Sequence, residues 1–356
     1  MHSVVVLVPG DLQTRTGGYG YDRRIIAGLS ERGWSVDIRS LDGTFPHPTP
    51  QDREQAASVL RDIADGSLVM IDGLALGALP TEVASEASRL RIVALVHHPL
   101  AEETGLEVSV ADALEAGERR ALGVVRHVLV TSRGTAAALS RYAVTADRIT
   151  IVEPGTDRAT LARAYRGGGA RADEGLNLLC VASLTPRKDH ETLFSALATL
   201  SDRPWHLRCA GALDRDSPTV RRLRVLLAGS ELSGRVSLLG DLDEAEVSAE
   251  YDRAEVFVLP TRYEGYGMAV AEALARGLPV ISTPTGAIAD LVGAAAGILV
   301  PPGDTRALAD ALARIIDDDG LRARLAGGAR QVRARLPTWD DAADRMAAAL
   351  SRVEDT

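Results

Sequence analysis

Val256-Phe-Val-Leu-Pro260-Thr-Arg-Tyr-Glu264-Gly-Tyr-Gly267-Met-Ala-Val-Ala-Glu272-Ala-Leu-Ala-Arg-Gly277 runs from a short apolar tetrad, through a turn marked by glycines, into a stretch of helix formers. A strand that feeds a helix through a tight turn is half of a βαβ unit, and repetition of that unit builds a mostly parallel sheet. The unit repeats along the whole chain. Strands are expected at 4–8, 35–38, 68–71, 92–96, 128–130 and 149–152, and again at 178–181, 206–210, 236–239, 256–259, 280–282 and 298–300, with amphipathic stretches between them. The fold class that follows is α/β.

A chain of 356 residues exceeds what one core usually supports, since single cores stop growing at about 250 to 300 residues. Two Rossmann-like parallel-sheet domains are therefore expected, and their facing carboxyl strand ends would frame a shared cleft where such sheets bind ligands. Arg166 to Gly175, with Gly167, Gly168 and Gly169 and no apolar periodicity, reads as the connector. That gives an acceptor-side domain over 1–165, a donor domain over 166–336, and a last helix, 337–356, packing back on the first domain. Pro337 separates this helix from helical patterns at 304–317 and 320–335.

Composition narrows the functional classes. With 46% hydrophobic and 25% charged residues the chain is globular, and no apolar run reaches membrane-spanning length. The strand beginning at Ser3 lacks the basic start of a signal peptide, so a cytoplasmic protein is expected. A net charge of −9 opposes nucleic acid and anionic lipid as partners. Cys180 and Cys209 each lie inside an apolar run and read as buried thiols.

The charged and glycine residues carry the chemistry. Gly265 and Gly267 clear side chains from a helix start, letting the N–H groups from Gly265 through Tyr266 to Met268 and the positive end of the helix dipole reach an anion such as a diphosphate. Glu264 in the loop and Glu272 on the first turns of the helix can meet different parts of one extended ligand. A nucleotide sugar has that layout, with hydroxyls at both ends. Read plainly, the same two residues are a solvated loop carboxylate and a surface helix carboxylate. Val181-Ala-Ser-Leu-Thr-Pro186-Arg187-Lys188 is a second strand-to-helix junction, where a cationic pair can hold phosphate oxygens. Arg187 and Lys188 are equally explicable as solvated charges, but Lys188 is the single lysine among 40 basic residues, which points to a need for a compact ammonium there.

In the first half, Thr16-Gly17-Gly18-Tyr19-Gly20 follows the first strand, with a helix expected near 21–32. It does not match G-x-G-x-x-G, which speaks against a dinucleotide-binding dehydrogenase. His97-His98-Pro99 follows the fourth strand, where a ligand-facing residue belongs. Nothing adjacent in sequence completes a metal site, and no metal or cofactor is expected. Asp241-Leu242-Asp243 superficially matches a D-x-D metal motif but has helix-capping spacing.

The segments Val181 to Lys188, Phe257 to Gly277, Pro279 to Gly286 and Gly297 to Asp304 resemble the retaining glycosyltransferases of family 4, which have the two-domain GT-B fold. That resemblance implies transfer of a sugar from a nucleoside-diphosphate donor with retention of anomeric configuration and without a metal. It implies that Glu264 meets donor-sugar hydroxyls, Glu272 the ribose, and Arg187 with Lys188 the diphosphate. It further implies that Gly17 and Gly18 approach the donor phosphates, and that His97 or His98 contacts the donor sugar. Family members often carry arginine where this chain has Ser183, and Arg187 is the expected substitute. The segment 152–157 resembles the end of the family's first domain. The acceptor is unidentified. Residues 1–160 hold 16 arginines against 21 acids, which favours a soluble small molecule or a glycan over an anionic lipid. Two other functions remain: a nucleotide-sugar 2-epimerase, and a silent sugar-nucleotide-binding protein.

Overall fold

The computed structural model describes residues 2–42, 45–166, 175–228 and 231–355. The glycines expected in the connector, Gly167, Gly168 and Gly169, lie outside them. The chain divides into two compact units, residues 1–155 with 337–356 and residues 156–336.

The first unit is a parallel sheet of β1 (Ser3–Pro9), β2 (Ser35–Leu41), β3 (Leu68–Asp72), β4 (Arg91–Val96), β5 (His127–Val130) and β6 (Ile149–Ile151), in the order β2-β1-β3-β4-β5-β6. The second has β7 (Leu176–Val181), β8 (Trp205–Ala210), β9 (Val236–Gly240), β10 (Val256–Leu259), β11 (Val280–Ser282) and β12 (Gly297–Leu299), ordered β12-β11-β10-β7-β8-β9. The strands read from hydrophobic runs are these strands, and their burial explains why they were readable. All five residues of β3 and all four of β10 are buried, as expected when helices cover both faces of a sheet.

Each order contains one reversal. The chain lays β2 on one side of β1 and β3 on the other; likewise β8 on one side of β7 and β10 on the other. At such a switch point the following loops diverge to opposite faces and open a crevice at the carboxyl strand ends. The loops after β1 and β3, and after β7 and β10, therefore occupy the ligand-binding position of each unit.

The division falls at Gly155, earlier than the expected boundary after Tyr165. The reason is bonding within the second unit. The Ala162 amide donates to the Arg276 carbonyl at 2.8 Å and the Tyr165 hydroxyl to the Glu255 carbonyl at 2.7 Å, while Arg333 donates to the Ala159 carbonyl at 2.7 Å. In the first unit, the helices Gly17–Glu31 and Trp339–Glu354 pack so closely that a Cβ on Gly28 would lie 2.5 Å from the Ala343 Cβ. Arg32 Nε donates to Asp344 Oδ1 at 2.6 Å across this contact. Cys180 and Cys209 are free, fully buried and directly paired in the β7–β8 register.

Candidate functional site

In the second unit, the loop after β10 is stitched to the loop after β7. The Arg262 amide donates to the Arg187 carbonyl at 2.8 Å, and the Thr261 hydroxyl reaches the carbonyls of Arg187 at 2.9 Å and Tyr263 at 2.7 Å. From β11's side, Thr283 Oγ1 donates to the Thr261 carbonyl at 2.6 Å. Residue 286 must be glycine: φ is +54°, and a Cβ there would sit 1.7 Å from the Glu264 carbonyl oxygen. Gly267, at φ +96°, caps the helix Met268–Ala275.

These constraints bring Glu264 and Lys188 together. The Lys188 ammonium donates to Glu264 Oε2, and Arg187 Nη1 lies 3.8 Å from Glu264 Oε1 while donating to the Tyr263 carbonyl at 3.2 Å. Burial pushes the Lys188 ammonium down from its ordinary range, with Glu264 pulling the other way. Lys188 is aimed by the next residue: Asp189 takes a left-handed turn at φ 52° and caps the helix His190–Ala198. The Asp189 carboxylate accepts from the Thr192 hydroxyl at 2.8 Å and pairs with Arg262 Nε at 3.0 Å.

Of the other expected donor-binding residues, Tyr266 turns its ring into a small apolar cluster with Ala271 and Ala287, against Met268, so these two offer backbone rather than side-chain chemistry to a ligand. Glu272 lies beside buried Tyr251, whose hydroxyl donates to the Ala269 carbonyl at 2.9 Å; burial pushes the Glu272 carboxyl up. Asp243 forms a capping box with Glu246 at the start of Glu244–Arg253, with bonds of 2.8 Å each way.

In the first unit, the helix expected near 21–32 begins at Gly17, with Thr16 as its cap. Gly17 and Gly18 thus belong to its first turn, and a Cβ on Gly18 would touch the His97 ring at 3.6 Å. The structure separates the two histidines. His97 Nε2 lies 3.2 Å from Asp22 Oδ1 and 3.5 Å from Asp72 Oδ2, whereas His98 Nε2 lies 3.6 Å from Glu103 Oε2. Burial opposes a charge on His97, but Asp22 and Asp72 outweigh it and hold the imidazole up at about 10.

Asp22 and Asp72 escaped the sequence reading, as did Glu118. Glu118 Oε2 accepts from the Leu100 amide at 3.1 Å, fixing the turn after the histidines, and burial pushes this carboxyl up to about 7. An acidic residue ending the otherwise apolar β3 was the one available signal, for Asp72. Although nothing adjacent in sequence completes a metal site, Asp22, Asp72 and His97 place ligand-type atoms within 4.8 Å of one another in space. A protonated imidazole already supplies the positive charge that two close carboxylates require.

Residues 163–332 match the family model of the glycosyl transferases group 1. A curated MMP alpha-(1->4)-mannosyltransferase of Mycolicibacterium hassiacum is 27% identical over 343 residues, covering 91% of this chain and 80% of that protein. A D-inositol 3-phosphate glycosyltransferase of Pseudarthrobacter chlorophenolicus is 31% identical over 272 residues, covering 71% of this chain. The chain spans 64% of that relative's length, a little under two thirds. Among solved structures, sucrose-phosphate synthase from Thermosynechococcus elongatus superposes with a TM-score of 0.83 at 22% identity, over 99% of both chains. Anabaena HepE in complex with UDP and glucose gives 0.78 at 16% identity, over 99% of this chain and 100% of that one. These likenesses show the fold, which is GT-B. Among the described residues, no helix is long and apolar enough to cross a membrane.

Proposed function

We propose, from the match of residues 163–332 to the glycosyl transferases group 1 and from the relatives above, that the chain is a member of that family and a retaining enzyme moving a sugar from a nucleoside-diphosphate donor to a soluble small-molecule or glycan acceptor, without a divalent cation. The observation that carries this reading is the placement of Lys188 and Arg187 around Glu264 at the switch point of the second unit. Two cations share one carboxylate, which leaves positive charge for an anion.

In the proposed reaction the bond between the anomeric carbon and the diphosphate oxygen breaks, and its electron pair departs with the phosphate. Lys188, Arg187 and the amides from Gly265 to Met268 neutralise that charge, the task a metal ion performs elsewhere. The acceptor oxygen bonds to the anomeric carbon on the same face, and its proton passes to the departing phosphate oxygen. Before donor binds, Glu264 keeps the ammonium in position; the diphosphate then draws Lys188 away and frees Glu264 to accept from sugar hydroxyls. Glu272 takes the ribose hydroxyls. His97 is the donor-sugar contact in the first unit, since His98 is turned to Glu103.

Retention draws support from His97. Inversion by single displacement requires a base to receive the acceptor proton. A histidine held protonated by two carboxylates cannot serve as one. A cytoplasmic location fits a donor made from nucleotides.

The test is a thermal-shift screen of UDP, GDP, ADP and TDP with their glucose and mannose conjugates, followed by turnover with and without EDTA. One nucleoside diphosphate at a hundredfold excess over its Kd should add about 2.7 kcal/mol of stability, and its sugar should be transferred at an unchanged rate in chelator. Stabilisation by none, loss of turnover in EDTA, or an inverted product anomer would each overturn the corresponding part. Conversion of donor to an isomeric sugar nucleotide in the absence of acceptor would mark an epimerase instead, and tight donor binding with neither transfer nor hydrolysis a silent binder.

A further inference from the structure

The Asp22–His97–Asp72 cluster contains more than the contact assigned to His97. The two carboxylates come from different elements, Asp22 from the helix Gly17–Glu31 and Asp72 from the end of β3, and both address the same ring nitrogen, Nε2. Each residue is 3% exposed. Asp72 is fixed through its other oxygen, which accepts from the Leu74 amide at 2.8 Å. Asp22 Oδ2 is buried with no hydrogen-bond partner among the described residues.

A neutral imidazole donating from Nε2 satisfies one carboxylate and leaves the second as an uncompensated buried charge. An imidazolium compensates both. With Nε2 committed to the two carboxylates, the second N–H of an imidazolium is at Nδ1, on a side chain that keeps 19% of its surface exposed. The ring cannot swing freely. Its backbone carbonyl accepts from Thr131 and Thr135 hydroxyls at 3.2 Å each, and the Tyr21 ring meets it edge-on with centroids 5.3 Å apart. The other charged neighbours face elsewhere: Arg23 Nη1 donates to the Leu12 and Thr14 carbonyls, and His98 turns to Glu103.

We propose that Asp22 and Asp72 are positioning residues that keep His97 an imidazolium and turn its Nδ1–H outward as a fixed cationic donor to an oxygen of the bound sugar nucleotide. The inference rests on the sugar-nucleotide reading above, and it assigns to two residues outside the family resemblance the task of setting the charge and aim of a third.

The experiment has two arms. Nitrogen-15 NMR of the histidine rings, assigned with His97→Gln, reads the charge of His97 directly in wild type, D22N and D72N. Wild type should remain doubly protonated at pH 8, while in either variant the ring should titrate within about one unit of 6.5. The second arm measures kcat and KM from pH 5.5 to 9 with the member of the nucleotide-sugar panel that stabilises wild type most. D72N should lose at least tenfold in kcat at pH 8 and recover to within threefold of wild type at pH 5.5, where the ring is protonated without help. A purely structural defect gives no such recovery. A neutral His97 in wild type at pH 8, losses in D22N and D72N that stay the same from pH 5.5 to 9, or wild-type turnover that vanishes in EDTA and returns with Mn²⁺ would each overturn the proposal. A wild type that no sugar nucleotide stabilises sinks the donor reading and the Nδ1–H contact with it, whereas the NMR arm still decides the positioning claim.

Discussion

The two units repeat one architecture and give it opposite charge. At the switch point of the second, two cations, Arg187 and Lys188, surround one carboxylate, Glu264. At that of the first, two carboxylates, Asp22 and Asp72, surround one imidazole. Strand order fixes where the crevice opens; only the loop residues decide its sign. An excess of cation suits an anion that departs with a bond pair. An excess of carboxylate suits holding a proton in place.

The largest effect that could break this contrast lies in the second unit. Lys188→Ala should lower kcat/KM by about a hundred- to a thousandfold, the usual cost of one preorganised donor to a developing oxyanion, and urea unfolding measured alongside separates this from the stability lost when Glu264, 14% exposed, is left without its ammonium. Near-normal turnover would remove the cationic half of the comparison. Glu264→Gln sharpens it, because two functions should separate. Released from its carboxylate, Lys188 should bind free nucleoside diphosphate several-fold more tightly by titration calorimetry, yet turnover should fall about tenfold as sugar hydroxyls lose a charged acceptor. Parallel loss of both would make Glu264 merely structural.

The smallest effect concerns the first unit and pH. Burial holds the Glu118 carboxyl up at about 7 in the fold, against an ordinary value of 4.5. The folded chain therefore binds more protons than the unfolded one across that interval. Its stabilising contribution is complete below about pH 4.5 and lost as pH rises through 7. From pH 4.5 to 8 wild type should lose at most about 3 kcal/mol relative to Glu118→Gln, by urea unfolding. The amide retains an oxygen for the Leu100 N–H, so the variant should show a flat profile; a parallel slope in both proteins would put the titration elsewhere.

The strands were legible because burial on both faces turns them into apolar runs, as in β3 and β10, and the glycine turn before Met268 was legible because residue type there follows from backbone geometry. The division after Gly155 was not legible because residues 156–165 bond to distant carbonyls such as those of Arg276 and Glu255, contacts that no local pattern encodes. Asp22 and Asp72 were missed for a related reason. They meet His97 only because β3 lies between β1 and β4, so that Asp72 pairs with Leu95 two positions before the histidine. Strand order is absent from hydrophobic periodicity. The choice between His97 and His98 depended on that same adjacency, whereas the need for Gly286 arises from a backbone oxygen far along the chain.

The solitary ε-amine has a practical consequence. Lys188 is the one lysine in the sequence, its side chain is 15% exposed, and burial lowers its affinity for a proton. An amine-selective acylating reagent therefore finds one side-chain amine in the whole polypeptide, located where the diphosphate is proposed to dock. The mass of the intact chain after brief acylation becomes a footprint of occupancy, and metabolite extracts could be fractionated by their power to shield that amine before any product has been identified.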